Sequence, residues 1–175
     1  MKRAIAFCLV ACLACMLCGC FHVITGLLSS DQVMVIPDND SIGEPKNFEK
    51  DGIQLTLTDL FVEKPSELGY YAYYVTDFCG VVVTTEAFTL EEGLSELSLQ
   101  TYVRSVIANN GHKNVEPQTK DGLWYYVVEK GNYCSYSYSY KGTDAFWTVQ
   151  FLCMAADAPM LEDLFFIWAN TVEVR

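Results

Sequence analysis

Residues 123–154 read LWYYVVEKGNYCSYSYSYKGTDAFWTVQFLCM. Three stretches of this run, 123–130, 133–140 and 146–154, are rich in tyrosine and β-branched residues, which suit a pleated, half-buried surface. They predict three strands in succession. Side chains alternate along a strand, so Tyr136, Tyr138 and Tyr140 fall on one face and Ser135, Ser137 and Ser139 on the other. A two-residue turn at Gly142-Thr143 would set Tyr138 opposite Trp147, Tyr136 opposite Val149 and Cys134 opposite Phe151. Tyrosine packs well in sheets for reasons of shape alone, which favours a core face beneath a helix. Exposed, Tyr136, Tyr138, Tyr140 and Trp147 would instead form a candidate ligand or partner face, a wall of rings for a sugar or an apolar side chain.

The same plan stands upstream. Asp51-Gly52 is a turn pair, and Ile53-Gln54-Leu55-Thr56-Leu57-Thr58 alternates as a half-buried strand should. Strands at 70–76 and 81–88 follow, joined by a turn at Asp77 to Gly80. Then comes a helix, with Ser98 as N-cap, Leu99, Val103, Val106 and Ile107 at helical spacing, and Gly111 as the left-handed residue after its end. A second Asp-Gly turn, Asp121-Gly122, opens the later strands. The last helix is predicted from about Ala158, with Pro159 in its first turn. Its buried stripe is Leu161, Leu164, Phe165 and Trp168, widened by Phe166 and Ile167. Three strands and a helix, twice over, predict an α+β fold: a mainly antiparallel six-stranded sheet packed by two principal helices. With 175 residues, eleven tyrosines, ten phenylalanines and three tryptophans, one domain has ample material for a core.

In order, FEKDGIQLTL, LSLQTYVRSVIANNG, TKDGLWYY, and AFWTVQFLC leading to FFIWANTVEV, the chain resembles the PsbP-like α/β/α sandwich. The version it resembles is that of small bacterial envelope lipoproteins, the DcrB-like group. The resemblance covers residues 48–175. It implies a non-catalytic module that docks on other proteins or supports an envelope process. It carries no shared active site, so no functional residue transfers from it.

The N-terminus predicts the location. Met1-Lys2-Arg3 is a basic start, and residues 4–18 are uncharged and mostly apolar, the pattern of a secretory signal. Leu17-Cys18-Gly19-Cys20 then resembles the bacterial lipobox. On that resemblance the signal peptide is 1–19, Cys20 carries the lipid, residues 20–47 are the lipidated N-terminus and tether, and 48–175 is the globular domain. Two or three acyl chains anchor durably where one is marginal. An uncleaved signal anchor is the alternative, because residues 4–28 contain no Asp, Glu, Lys or Arg and are long enough to span a bilayer. Within the tether, Val33–Ile36 is a short apolar patch suited to an added edge strand. Pro37–Asn47 has the composition of a loop.

The formal net charge is −11, and residues 1–19 hold Lys2 and Arg3 but no acid, so the remainder is more acidic still. That excludes nucleic acid, whose backbone demands clustered cations, and electrostatic docking on anionic lipid. No zinc-ligand pair, nucleophile elbow, phosphate loop or dinucleotide fingerprint occurs in the domain. Neither a metal nor a cofactor is expected. His22 falls in the tether, and His112 reads as a solvated loop residue. Glu91, Glu92 and Glu96 read as polar residues ahead of the first helix, and Glu162 and Asp163 as first-turn acids of the last, each favoured by the helix dipole. Cys134 and Cys153 are expected as buried free thiols, diagonal to one another, and Cys79 as an exposed turn residue.

These observations lead to a lipid-anchored, non-catalytic accessory or protein-interaction module of the cell envelope, held to the membrane by its N-terminal lipid and partnered by an envelope protein. The alternative is a ligand-binding lipoprotein that uses the aromatic face for a sugar, peptide or small molecule.

Overall fold

The computed structural model describes residues 42–66 and 69–175. The lipobox with Cys20, and the Val33–Ile36 patch, lie outside the described residues. Asp51-Gly52 forms a turn, with Gly52 at φ +88°, and joins β1 (Pro45–Lys50) to β2 (Ile53–Thr58) in an antiparallel hairpin. The loop composition of 37–47 therefore gives way to strand at Pro45, ahead of the expected domain start. A short β10 (Glu173–Val174) pairs with β2 on its other edge and completes a three-stranded sheet.

The larger sheet is built from β3 (Val62–Glu63), β4 (Ala72–Val75), β5 (Gly80–Ala87), β6 (Gln118–Lys120), β7 (Leu123–Lys130), β8 (Tyr133–Lys141) and β9 (Ala145–Met154). Their spatial order is β3-β4-β5-β9-β8-β7-β6, antiparallel throughout. This sheet has seven strands rather than the six expected. Two short edge strands, β3 and β6, are added, and β2 leaves to join the separate sheet. β2 leaves because Ile53, Leu55 and Leu57 bury their side chains in the core that lies over one face of the larger sheet.

Helix α1 (Leu99–Asn109) starts at Ser98, whose Oγ accepts the Thr101 N–H at 3.1 Å. It ends in a Schellman motif: Gly111, at φ +71°, donates to the Ala108 carbonyl at 3.0 Å, and the His112 N–H donates to Ile107 at 3.2 Å. Tyr102, Val103, Val106 and Ile107 pack with Tyr126, Val128 and Phe146 on one face of the large sheet. Helix α2 (Ala158–Ala169) covers the other face with Leu161, Phe165 and Trp168. The layers are thus α1, the seven-stranded sheet, then α2 beside the small sheet. Among the described residues, no helix is long and apolar enough to cross a membrane. Glu91, Glu92 and Glu96 lie ahead of α1 as expected, whereas Glu162 and Asp163 fall beyond the first turn of α2. Asp163 instead meets Lys120 at 3.5 Å.

The β8–β9 register also differs from expectation. Tyr136 pairs with Phe151, Tyr138 with Val149, Tyr140 with Trp147 and Cys134 with Cys153. Gly142 is no turn residue: its N–H closes the hairpin on the Ala145 carbonyl at 2.9 Å, leaving Thr143-Asp144 as the tip. Its lack of a side chain serves close approach instead, since a Cβ there would run into the Arg175 carbonyl oxygen.

Trp168 joins the layers, its ring 5.2 Å edge-on from Phe61 and 6.0 Å from Phe151. Removing it leaves a large cavity among rings that cannot collapse. Trp168→Ala should cost about 3–5 kcal/mol in urea unfolding. A loss below about 1 kcal/mol would place that side of α2 outside the core.

Candidate functional site

Tyr136, Tyr138, Tyr140 and Trp147 are brought together on the α2 face, where α2 packs on the tyrosines and Tyr71 and the Gly52 turn lie against Trp147. Their exposures are 5%, 1%, 8% and 4%. Tyr136 meets Phe165 edge-on at 5.6 Å, Tyr138 stacks on Tyr125 at 5.2 Å, and Tyr71 meets Trp147 edge-on at 5.0 Å. The Tyr140 hydroxyl donates to the Ala169 carbonyl at 2.7 Å, so even the polar tip is used in holding the end of α2. Burial raises the hydroxyl pKa of all three tyrosines. The surface is core, as the tyrosine pattern favours, and not the alternative, an open ligand or partner face.

The serine face lies towards α1. Ser135, Ser137 and Ser139 are buried, and their small volume leaves room for the rings of Tyr126 and Phe146 under the helix. Tyr102 stacks on Phe146 at 3.9 Å. Beside it sits a residue that sequence reasoning missed. Glu86 is half-buried near the end of β5, and its carboxyl is held above the ordinary range by burial, against a hydrogen bond from Tyr102, with Glu91 adding repulsion. The run TTEAF carries no signal for this, because the burial comes from α1, which is distant in sequence. A carboxyl so placed can retain its proton to higher pH than a surface acid. Among the described residues no cluster of metal-ligating side chains forms.

An open cleft of about 420 Å³ lies at the end of α1, between Arg104, Ile107, His112, Lys113, Val115 and Glu116. Ile107 and Val115 supply apolar walls and the two cations stand at its rim. His112 is half-buried rather than solvated. The Schellman motif turns it back under the helix, its ring 6.4 Å from that of Tyr126 and its Nε2 buried without a hydrogen-bond partner. Burial, then the Lys130 charge, lower its pKa. A histidine whose folded pKa lies below the unfolded value of about 6.5 costs stability as pH falls through that value, because the unfolded chain takes up the proton first. His112→Gln should therefore show a smaller fall in melting temperature between pH 7.5 and 5.5 than wild type. Equal falls would mean that the ring is solvated.

No family model and no curated protein matches the chain. Solved structures do. The chain is similar to the solution structure of the cyanobacterial PsbP protein from Synechocystis sp. PCC 6803, with a TM-score of 0.55 at 12% identity, over 82% of this chain and 100% of that one. A crystal structure of a Pseudomonas aeruginosa protein of unknown function gives a TM-score of 0.42 at 13% identity, over 76% and 99%. At 12% identity the first likeness is one of chain path, and on it the domain has the PsbP-like fold.

Proposed function

We propose that the protein is a lipid-anchored, non-catalytic module of the bacterial cell envelope, of the DcrB-like kind, that acts by binding an envelope protein. The observation that carries the binding role is the outer face of α2. Met160 and Ile167 are 61% and 59% exposed, with half-buried Leu164 between them at helical spacing. A helix that is apolar on both its inner and outer faces offers more apolar surface than its own domain uses. The sealed tyrosine face supports the same choice over a ligand-binding lipoprotein, since the rings that would hold a ligand are spent on packing. The basic start, the apolar run and Leu17-Cys18-Gly19-Cys20 support the anchor and a position on the extracytoplasmic side of the membrane.

Two measurements test the two halves. Membrane-purified protein should have an intact mass that begins at Cys20 and includes diacylglycerol, and Cys20→Ala should leave the precursor uncut. Wild type that retains residues 1–19 would replace the lipid with an uncleaved anchor. A photo-crosslinker at position 167 of the anchored protein should join one envelope protein. Met160→Asp should abolish that crosslink and shift stability by no more than about 0.5 kcal/mol, as for an exposed side chain. A crosslink indifferent to Met160→Asp would remove α2 as the contact surface.

A further inference from the structure

The three cysteines of the domain stand in one row across three strands. Cys134 and Cys153 are paired between β8 and β9. Gly80 pairs with Leu152, so one further step of the β5–β9 register sets Cys79 opposite Cys153. All three are free thiols in the same buried cluster, so their side chains point to the same face of the sheet. Cys79 is 1% exposed rather than a surface turn residue, because the Thr76 side chain caps its turn by accepting the Cys79 N–H at 3.1 Å.

The two neighbours of Cys153 are not equivalent. On β8–β9 the Ala155 N–H donates to Asn132 at 2.7 Å and the Gly142 N–H donates to Ala145. Hydrogen-bonded pairs recur every second residue, so Cys134–Cys153 is one of them. On β5–β9 the Phe88 N–H donates to Asp144 at 2.7 Å. The same alternation makes Cys79 opposite Cys153 a non-hydrogen-bonded position. Directly opposed Cβ atoms lie about 4.5–5.5 Å apart, the shorter value at non-hydrogen-bonded positions. A disulfide takes about 3.5–4.5 Å. On these general spacings the hydrogen-bonded position is the less suited to a disulfide, and the non-hydrogen-bonded position comes within its reach. This is why Cys134 and Cys153 stay free although they face one another directly rather than diagonally.

We propose that Cys79 and Cys153 are an oxidisable pair that forms a cross-strand disulfide with a disulfide oxidant, while Cys134 remains a thiol. The Cys153 thiolate attacks a sulfur of the oxidant, giving a mixed disulfide and releasing one thiol. The Cys79 thiolate then displaces the second. The oxidant leaves as two thiols, which take up the two cysteine protons and the two electrons. Burial raises the pKa of all three thiols, that of Cys153 to about 12, so exchange belongs to the folding chain and the finished bond is protected. The bond would tie the β4–β5 hairpin to the end of β9, just before α2 begins.

The full chain, in detergent, can be reduced, unfolded, refolded with oxidised glutathione, quenched with N-ethylmaleimide and mapped by peptide mass. A linked Cys79–Cys153 peptide with alkylated Cys134 is expected. Cys134→Ser should retain the link, and Cys79→Ser should leave Cys134 and Cys153 both alkylated. Oxidised wild type should lose several degrees of melting temperature on reduction. Alkylated Cys79 in refolded wild type, or a Cys134–Cys153 link in either protein, overturns the proposal. Neither lipid nor partner enters this test, so its outcome is separate from that of the proposed function.

Discussion

Phe151 of β9 stacks on Phe165 of α2, their ring centroids 5.1 Å apart. Around that contact Tyr136 and Tyr138 pack from β8, Trp168 from the next turn of the helix, and Phe61 from the segment after β2. Aromatic side chains bury large areas and prefer offset or edge-on contacts, so each ring here restricts the placement of its neighbours. The small sheet follows from the same packing. Ile53, Leu55 and Leu57 must cover what α2 leaves open, and Thr171, just past the helix, accepts the Thr56 N–H at 2.9 Å and donates to its carbonyl at 3.2 Å.

One corner of the molecule shows how little space remains. The Arg175 N–H donates to the Gly52 carbonyl at 3.0 Å, bringing the end of the chain to the β1–β2 turn. A Cβ on Gly52 would lie 2.8 Å from the Trp147 ring, and one on Gly142 would run into the Arg175 carbonyl. Tyr71 adds a hydrogen bond from its hydroxyl to the Asp51 carbonyl. Two glycines thus let the small sheet dock against Trp147, one in a left-handed turn and one in an extended hairpin. Only the first of these roles is local.

The packing also decides where function can reside. The tyrosine face is closed, and the Glu86 side lies partly under α1. The outer face of α2 stays open and apolar, and a small mixed cleft lies at the end of α1. The proposed protein-binding role rests on the apolar outer face of α2 and on the acidic composition of the chain.

The sequence by itself determined the class of fold, the five longest strands of the large sheet, both helices and the caps of the first. These depend on alternation, helical spacing, an N-cap serine and a C′ glycine, all set within a few residues of one another. The tether from Cys20 onward remains an expectation of the sequence, and residues 20–41 lie outside the described ones. Tertiary structure decided the rest. Gly142 reads identically as a turn residue or as a close-approach residue, and only the distant Arg175 distinguishes the two; the misread turn shifts the β8–β9 register and with it the cysteine pairing. The same holds for the tyrosines, Cys79, His112 and Glu86. Whether each is buried depends on which helix arrives above it, and local pattern records the face a side chain occupies but not what covers that face.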